Sequence, residues 1–328
     1  MANNKRKNIV GIGCLAGGIA LAGTASYLIT KKLVELALDR ETPEKLTKKS
    51  KGVKKVQTME EFQIFREQKS VQLQEKVHDT VEITSHDGKK LVGHWWTCEN
   101  PERVIIAMHG WRSAWSRDFG MIADFLHDNS CSVLFVEQRG QNNSDGKYMS
   151  FGMMERFDCL EWIKWVNEKI GEKYPIYLYG VSMGASTVLM ATGLELPENV
   201  QGIIADCGFS SIHDIWKHVV NKGFHMHYND AVANILCREK IQVGTKEYSV
   251  KDALKQNQIP VLFIHGADDD FVPVEMTYEN YKNCMAPKRI LIVPGAGHAM
   301  SYYAERLRYE KEVMIFFKSY DNKGMSNE

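Results

Sequence analysis

The sequence predicts an α/β fold, a mostly parallel central sheet of about eight strands flanked by helices, with a small helical insertion and one N-terminal membrane helix. Three observations carry this expectation. From about Val81 onward, short apolar runs alternate with helix-period segments, the rhythm of a parallel sheet covered on both faces. Gly180-Val181-Ser182-Met183-Gly184 stands where an apolar run ends and a helix-compatible one begins, the G-x-S-x-G setting of a strand-to-helix turn that holds a serine in exposed strain. Ile9 to Thr30 carries no charge over about 22 residues, a length that spans a bilayer.

Composition bounds the rest. A chain of 328 residues with 44% hydrophobic and 25% charged residues is globular, with room for one large α/β domain or two small ones. Lys+Arg and Asp+Glu stand at 41 each, so no global charge points to nucleic acid. Seven cysteines, at 14, 98, 131, 159, 207, 237 and 284, are scattered and form no C-x-x-C pair or zinc-like spacing. Neither a disulfide framework nor a metal cage is expected, and the unpaired thiols favour a reducing compartment for the main domain.

The N-terminal segment lies between Lys5-Arg6-Lys7 and Lys31-Lys32. A retained anchor over residues 1–32, placing the protein at the cell membrane, is the favoured reading. A cleaved secretory peptide is its rival, because Ala20-Leu21-Ala22 fits a signal-peptidase site. The apolar stretch runs past that site through Tyr27-Leu28-Ile29, which favours retention. Lysines on both sides leave the orientation open. Residues 33–75 read as a juxtamembrane linker and helix, 76–322 as the main domain with a cap-like insertion at 209–258, and 323–328 as a tail.

In chain order, Val81-Glu82-Ile83-Thr84 and Leu91 to Trp96 form a hairpin around His86-Asp87-Gly88, whose Asp-Gly supplies the turn. Arg103 to Met108 is a strand ending at His109-Gly110, and a helix follows over Arg117–Asp128 with Phe119, Ile122, Ala123 and Phe125-Leu126 on one face. The strand Val133 to Val136 ends in Arg139-Gly140 and a polar loop, before an amphipathic helix over Met153–Ile170. Ile176 to Tyr179 is the strand feeding the serine turn, Ala185 to Leu194 the helix leaving it, and Gly202 to Ala205 the next strand, ending at Asp206. Residues 209–258 break the rhythm, with helix over Ile212 to Val220 and no clear strand. It resumes with Pro260 to Ile264, a helix over Val274–Cys284, the strand Ile290 to Val293 and a final helix over Tyr302–Tyr320.

A hydroxyl is a poor nucleophile at neutral pH. It needs a base in hydrogen-bond reach, a group to orient that base, and donors for the oxyanion that forms on the attacked carbonyl. Candidates stand at strand ends: Ser182, then Asp269 within His265-Gly266-Ala267-Asp268-Asp269-Asp270-Phe271-Val272-Pro273, then His298 within Gly295-Ala296-Gly297-His298. The carboxyl ends of parallel strands converge on one rim, so these loops can meet. The order Ser, Asp, His is that of the α/β-hydrolase arrangement. Asp268, Asp270 and, at the end of the preceding strand, Asp206 are rivals for the acid. His225 and His227, near His213 and His218, lack correctly spaced acidic or cysteine partners for a metal. His109 and His265 read as ligands of loop backbone. Trp162 and Trp165 read as core by helical spacing, whereas Trp111 and Trp115 are open between core and pocket wall.

On these residues the chain from about Val81 to Tyr320, roughly three quarters of the sequence, resembles an α/β-hydrolase of the serine-hydrolase branch that includes esterases, lipases and some peptidases. It is similar to bacterial members with an N-terminal hydrophobic segment. The matching pieces are His109-Gly110-Trp111, Gly180-Val181-Ser182-Met183-Gly184, His265-Gly266-x-x-Asp269-x-x-Val272-Pro273 and Gly297-His298. The resemblance implies Ser182 as nucleophile, His298 as general base and then acid, Asp269 as the orienting carboxylate, and the backbone N–H groups of Trp111 and Met183 as the oxyanion hole. The loop Glu137-Gln138-Arg139-Gly140-Gln141-Asn142-Asn143-Ser144 departs from the family pattern in its Gln-Asn-Asn turn.

The expected protein is therefore a cofactor-independent, membrane-anchored serine hydrolase that acts on a small-molecule or lipid-like acyl substrate, with esters (carboxylesterase or lipase) favoured over peptides. A peptidase or acyltransferase on the same triad is the alternative, and a non-catalytic binding protein of the same fold is a more distant one. No nucleic acid or metal is expected, and the sequence is silent on oligomeric state.

Overall fold

The computed structural model describes residues 24, 26–41, 57–76, 79–224 and 228–321. Its eight strands are β1 (Asp79–Thr84), β2 (Lys90–Trp96), β3 (Arg103–Met108), β4 (Cys131–Glu137), β5 (Ile176–Val181), β6 (Val200–Asp206), β7 (Val261–Gly266) and β8 (Lys288–Val293). They form one sheet in the order β1-β2-β4-β3-β5-β6-β7-β8. Antiparallel pairing joins β1, β2 and β4, and the pairs from β4 through β3 to β8 are parallel.

The burial of the strands follows from this topology. β3, β4, β5 and β7 are buried at every position and read as near-continuous apolar runs, as strands covered on both faces must. The edge strand β1 leaves alternate residues exposed. The first hairpin turns at Gly88 in left-handed backbone (φ 79°), the conformation for which Asp-Gly is suited.

Twelve helices are described: α1 (residues 26–38), α2 (Gln57–Gln74), α3 (Trp115–Phe119), α4 (Ala123–Asp128), α5 (Glu155–Ile170), α6 (Met183–Ala191), α7 (Ile212–Phe224), α8 (Asp230–Ile241), α9 (Val250–Leu254), α10 (Val274–Asn283), α11 (Ser301–Ala304) and α12 (Arg306–Tyr320). Two apolar clusters sandwich the sheet. One joins α1, α5, α6 and the insertion through Leu38, Trp162, Val188 and Leu236; the other joins α2, α3, α4 and α12 through Phe62, Phe119, Leu126 and Phe316.

Because β3, β5, β6, β7 and β8 pair in parallel one after the next, the loops that follow these strands open on one rim. The α/β-hydrolase architecture expected from the sequence is present in the eight-stranded, mostly parallel sheet flanked by helices.

The described residues do not support the expected N-terminal membrane helix. Most of the proposed span, residues 9–23, lies outside the described residues, and among the described ones no helix is long and apolar enough to cross a membrane. The basic pair Lys31-Lys32, expected to stop the span, lies exposed in the middle of α1. The opposite side of that helix buries Thr30, Val34 and Leu38 at four-residue spacing against the domain. The chain then pairs with the loop after β4, through Arg40 N–H to Lys147 O (2.9 Å) and Met149 N–H to Leu38 O (2.7 Å). Segment α2 is likewise packed rather than free: it buries Phe62 and Leu73, and Ser70 Oγ lies 2.9 Å from Ser116 Oγ.

The helix expected over residues 117–128 is two helices, α3 and α4, that meet around Gly120. A Cβ at Gly120 would stand 2.6 Å from Lys69 O, so the close approach of α2 sets this junction. The insertion at 209–258 holds α7, α8 and α9. The last two start at side-chain caps, Asn229 accepting from Val232 N–H (3.1 Å) and Ser249 from Asp252 N–H (3.2 Å).

Candidate active site

Ser182 follows β5 and precedes α6 with φ 56° and ψ −117°, a conformation that strains any side chain. Its N–H donates to Asp206 O (2.8 Å). The flanking glycines are required by contact. A Cβ at Gly180 would lie 2.2 Å from Gly184 O, and a Cβ at Gly184 would lie 1.8 Å from Met108 O. The turn therefore packs its own backbone on itself and on the end of β3.

His298 comes from the loop after β8. Its Nε2 lies 2.9 Å from Ser182 Oγ and its Nδ1 lies 2.7 Å from Asp269 Oδ2. The second oxygen, Asp269 Oδ1, accepts from the N–H groups of Phe271 and Val272, each at 2.9 Å. Among the three consecutive aspartates only the side chain of Asp269 is buried. Asp268 is exposed, and Asp270, also exposed, pairs with Lys222 at 2.7 Å. Burial works to raise the Asp269 pKa, but hydrogen bonds from His265 and His298 outweigh it and hold the carboxyl well below its usual range. An imidazole whose Nδ1–H points to a fixed carboxylate presents a basic Nε2 to the hydroxyl, so this arrangement can take the serine proton and later return it.

His265 does more than the sequence suggests. Its Nε2 lies 2.9 Å from Val272 O, which only accepts, so the proton sits on Nε2. That N–H is shared with Asp269 Oδ2 (3.1 Å), while Nδ1 faces the Thr277 hydroxyl at 2.7 Å. The imidazole thus ties both ends of the acid loop together.

The loop after β3 lies against the serine. A Cβ at Gly110 would stand 3.3 Å from Ser182 Cβ, and Gly110 N–H donates to Asp118 Oδ2 (2.7 Å) while Ser113 Oγ donates to Asp118 Oδ1 (2.6 Å). Asp118 carried no motif signal in the sequence; its role appears only when α3 folds back beneath the loop. Trp111, which follows Gly110, and Met183, which follows Ser182, are the expected oxyanion donors. His109 is fully buried, which lowers its pKa, and it bonds Gly110 O (2.8 Å) and Gln138 N–H (3.2 Å), as expected for a ligand of loop backbone.

The departing Gln-Asn-Asn turn is structural. Asn142 adopts left-handed backbone (φ 50°), Asn143 N–H donates to Glu137 Oε2 (2.6 Å), and Ser144 Oγ donates to Glu137 O (2.5 Å). The tryptophans divide. Trp111 borders a cavity beside the site, whereas Trp115 stacks on His94 at 4.3 Å and packs on Phe135, inside the core. Trp162 is core, and Trp165 packs edge-on against it.

For metals, His225 and His227 lie outside the described residues. Among the described ones, donor atoms of Cys207, Asp269 and His298 lie within 4.8 Å of one another. Burial raises the Cys207 thiol well above its ordinary pKa, and Asp269 and His298 are bonded to each other, so the set is an acid–base pair with a neutral thiol beside it.

Asp206, the rival acid, is engaged elsewhere. It accepts from Tyr309 OH at 3.0 Å, with Ser301 Oγ at 3.4 Å, and burial pushes its pKa up to about 6 against the lowering influence of His265, Tyr309 and His298. The folded state therefore binds this proton more tightly than the unfolded chain. The resulting stability is fully present below about pH 4 and is lost as pH rises through about 6. Asp206→Asn, which keeps an acceptor for Tyr309, is expected to stabilise the fold at pH 8 by on the order of 2 kcal/mol, roughly 5 °C in Tm, with the gain gone at pH 4. Thermal melts at the two pH values check this, and an equal shift at both would contradict it.

Residues 99–240 match the family described as "Serine aminopeptidase, S33". The Bacillus subtilis protein YqkD is 28% identical over 248 residues, covering 75% of this chain and 80% of that protein. Among solved structures, the Pyrococcus furiosus esterase Pf2001 superposes with a TM-score of 0.62 at 21% identity, covering 74% of this chain and 91% of its own. Est1E from Butyrivibrio proteoclasticus, solved with ferulic acid, gives 0.59 at 21% identity, covering 72% and 98%.

Proposed function

We propose that this chain, a serine hydrolase of the α/β-hydrolase superfamily, cleaves carboxylic esters through an acyl-enzyme on Ser182. The observation that carries the proposal is the unbroken line from Ser182 Oγ to His298 Nε2 (2.9 Å), and from His298 Nδ1 to an Asp269 carboxylate held by two backbone N–H groups. Ser182 Oγ attacks the ester carbonyl as His298 Nε2 takes its proton. The Trp111 and Met183 N–H groups receive the oxyanion, and His298 returns the proton to the departing alkoxide. Water, deprotonated by the same imidazole, then releases the acid and restores the serine.

The ester preference draws on the cavity beside His298. An aminopeptidase must hold a substrate ammonium group, which away from water requires an anionic or hydrogen-bonding partner. The described residues lining this cavity include no acidic side chain, and its walls are largely Leu, Val, Ile, Ala and aromatic. The likeness to the Pyrococcus furiosus esterase Pf2001 accords with this preference.

In the full-length protein, a fluorophosphonate probe is expected to add to the peptide containing Ser182. p-Nitrophenyl butyrate is expected to turn over at least about 100-fold faster than aminoacyl p-nitroanilides, a difference of about 2.7 kcal/mol in barrier. Faster turnover of the anilides would replace the esterase reading by a peptidase one, and absence of the adduct in folded protein would remove Ser182 as nucleophile.

A further inference from the structure

We propose that α1, the helix just upstream of the sheet domain, forms the acyl-selecting wall of the site, and that the pocket it encloses takes an unbranched acyl or aryl-acyl group of about six carbons. The inference rests on the esterase reading above and deepens it. A cavity of about 140 Å³ lies between α1, through Leu33, Val34 and Ala37, and the insertion helix α7, through Ile215 and Trp216. Two further lining residues connect it to the reacting groups. Trp111 follows Gly110, which lies against Ser182, and the Phe271 ring packs edge-on against the His298 imidazole at 5.0 Å. Trp111 thus links the cavity to the serine through Gly110, and Phe271 links it to the histidine.

Its chemistry and size name the occupant. Apart from Thr30 and Tyr228 the described lining is hydrocarbon or indole, with no charged side chain, so burial of hydrocarbon is the main recognition it offers. An apolar cavity of about 150 Å³ accepts a benzene molecule, which sets the capacity here at about six carbons.

The wall is also joined to the oxyanion loop. Trp111 Nε1–H donates to Ala37 O (2.8 Å), and the Arg112 guanidinium donates to Leu36 O (3.0 Å), to Asp39 O and to Arg40 O (3.2 Å). Leu36 O and Ala37 O belong to the last turn of α1, whose carbonyls need donors from outside the helix, and Asp39 O and Arg40 O follow its end. Arg112 itself holds left-handed backbone (φ 50°). The loop that carries the proposed Trp111 donor is therefore the loop that clasps α1, so the acyl wall and the oxyanion donor keep a fixed spacing.

The test uses the full chain and p-nitrophenyl esters from acetate to dodecanoate. Each buried methylene raises kcat/KM by up to about fourfold, so the wild-type profile is expected to peak near hexanoate, at least about tenfold above acetate. Leu33→Trp fills the pocket from α1 and is expected to bring the hexanoate-to-acetate ratio to about one. Leu33→Ala lengthens it and is expected to move the peak two to three carbons further. Cooperative thermal melts establish that both variants are folded. If esters are hydrolysed but neither variant moves the profile, the wall assignment is overturned and the esterase reading stands. If folded wild-type protein hydrolyses no ester and Ser182 takes no fluorophosphonate, the esterase reading itself has failed and the inference with it.

Discussion

Ser182→Ala is expected to lower kcat for an ester by about 10⁴- to 10⁶-fold while the protein stays folded, because the variant loses the nucleophile and keeps every contact that shapes the turn. Steady-state assays at saturating p-nitrophenyl ester measure this, and a variant retaining a tenth of wild-type activity would exclude Ser182 from the chemistry. The backbone supplies a second readout from the same position. At φ 56° and ψ −117° a Cβ is strained, and glycine is not. Ser182→Gly is therefore expected to unfold at higher urea than Ser182→Ala, by about 1 kcal/mol. The strain at this residue would then be a measured quantity, held in place by the surrounding structure to keep Oγ in front of His298.

Gly184→Ala is expected to be the most damaging single methyl in the protein, costing more than about 4 kcal/mol and leaving little folded material at 37 °C. The added carbon would stand 1.8 Å from Met108 O and 2.7 Å from His109 O. Neither atom can retreat, since the end of β3 is paired to β4 on one side and β5 on the other. Backbone conformation is not the reason, as Gly184 lies at the start of a regular helix. Gly171 makes the contrast: it has φ 81° and ψ 162° but nothing within 4 Å of an added Cβ, so Gly171→Ala meets only the conformational penalty, about 1–3 kcal/mol. Urea midpoints for the two variants decide the matter. Comparable losses at both positions would show that close packing under the serine turn is not what Gly184 provides.

Much of this was legible because buried parallel strands leave an unmistakable trace. Runs such as Val104-Ile105-Ile106-Ala107-Met108 and Val261-Leu262-Phe263-Ile264 have no polar alternation, and each ends where a functional loop starts. The serine turn was legible for a related reason, since the contacts at Gly180 and Gly184 admit no side chain.

What escaped was tertiary. Gly120 interrupts a helix because the backbone of α2 approaches it, and nothing local announces that approach. The spacing from His265-Gly266 selects Asp269, but the exclusion of Asp268 and Asp270 rests on which carboxylate the loop turns inward. Thr30 closes the uncharged stretch while Val34 and Leu38 lie past Lys31-Lys32, so a span read as stopping at those lysines hides the stripe at four-residue spacing. The insertion is partly readable, since Asn229 and Ser249 are ordinary helix-starting residues.

The clasp on α1 separates two properties that usually change together. Arg112 and the Trp111 indole grip main-chain oxygens of residues 36, 37, 39 and 40, a feature common to every amino acid. The side chains facing the cavity belong to the same helix but take no part in the grip. Replacements along that face leave the attachment untouched, so the range of acyl groups accepted can drift through single substitutions in a short peripheral helix, without disturbing the sheet, the serine turn or the histidine loop.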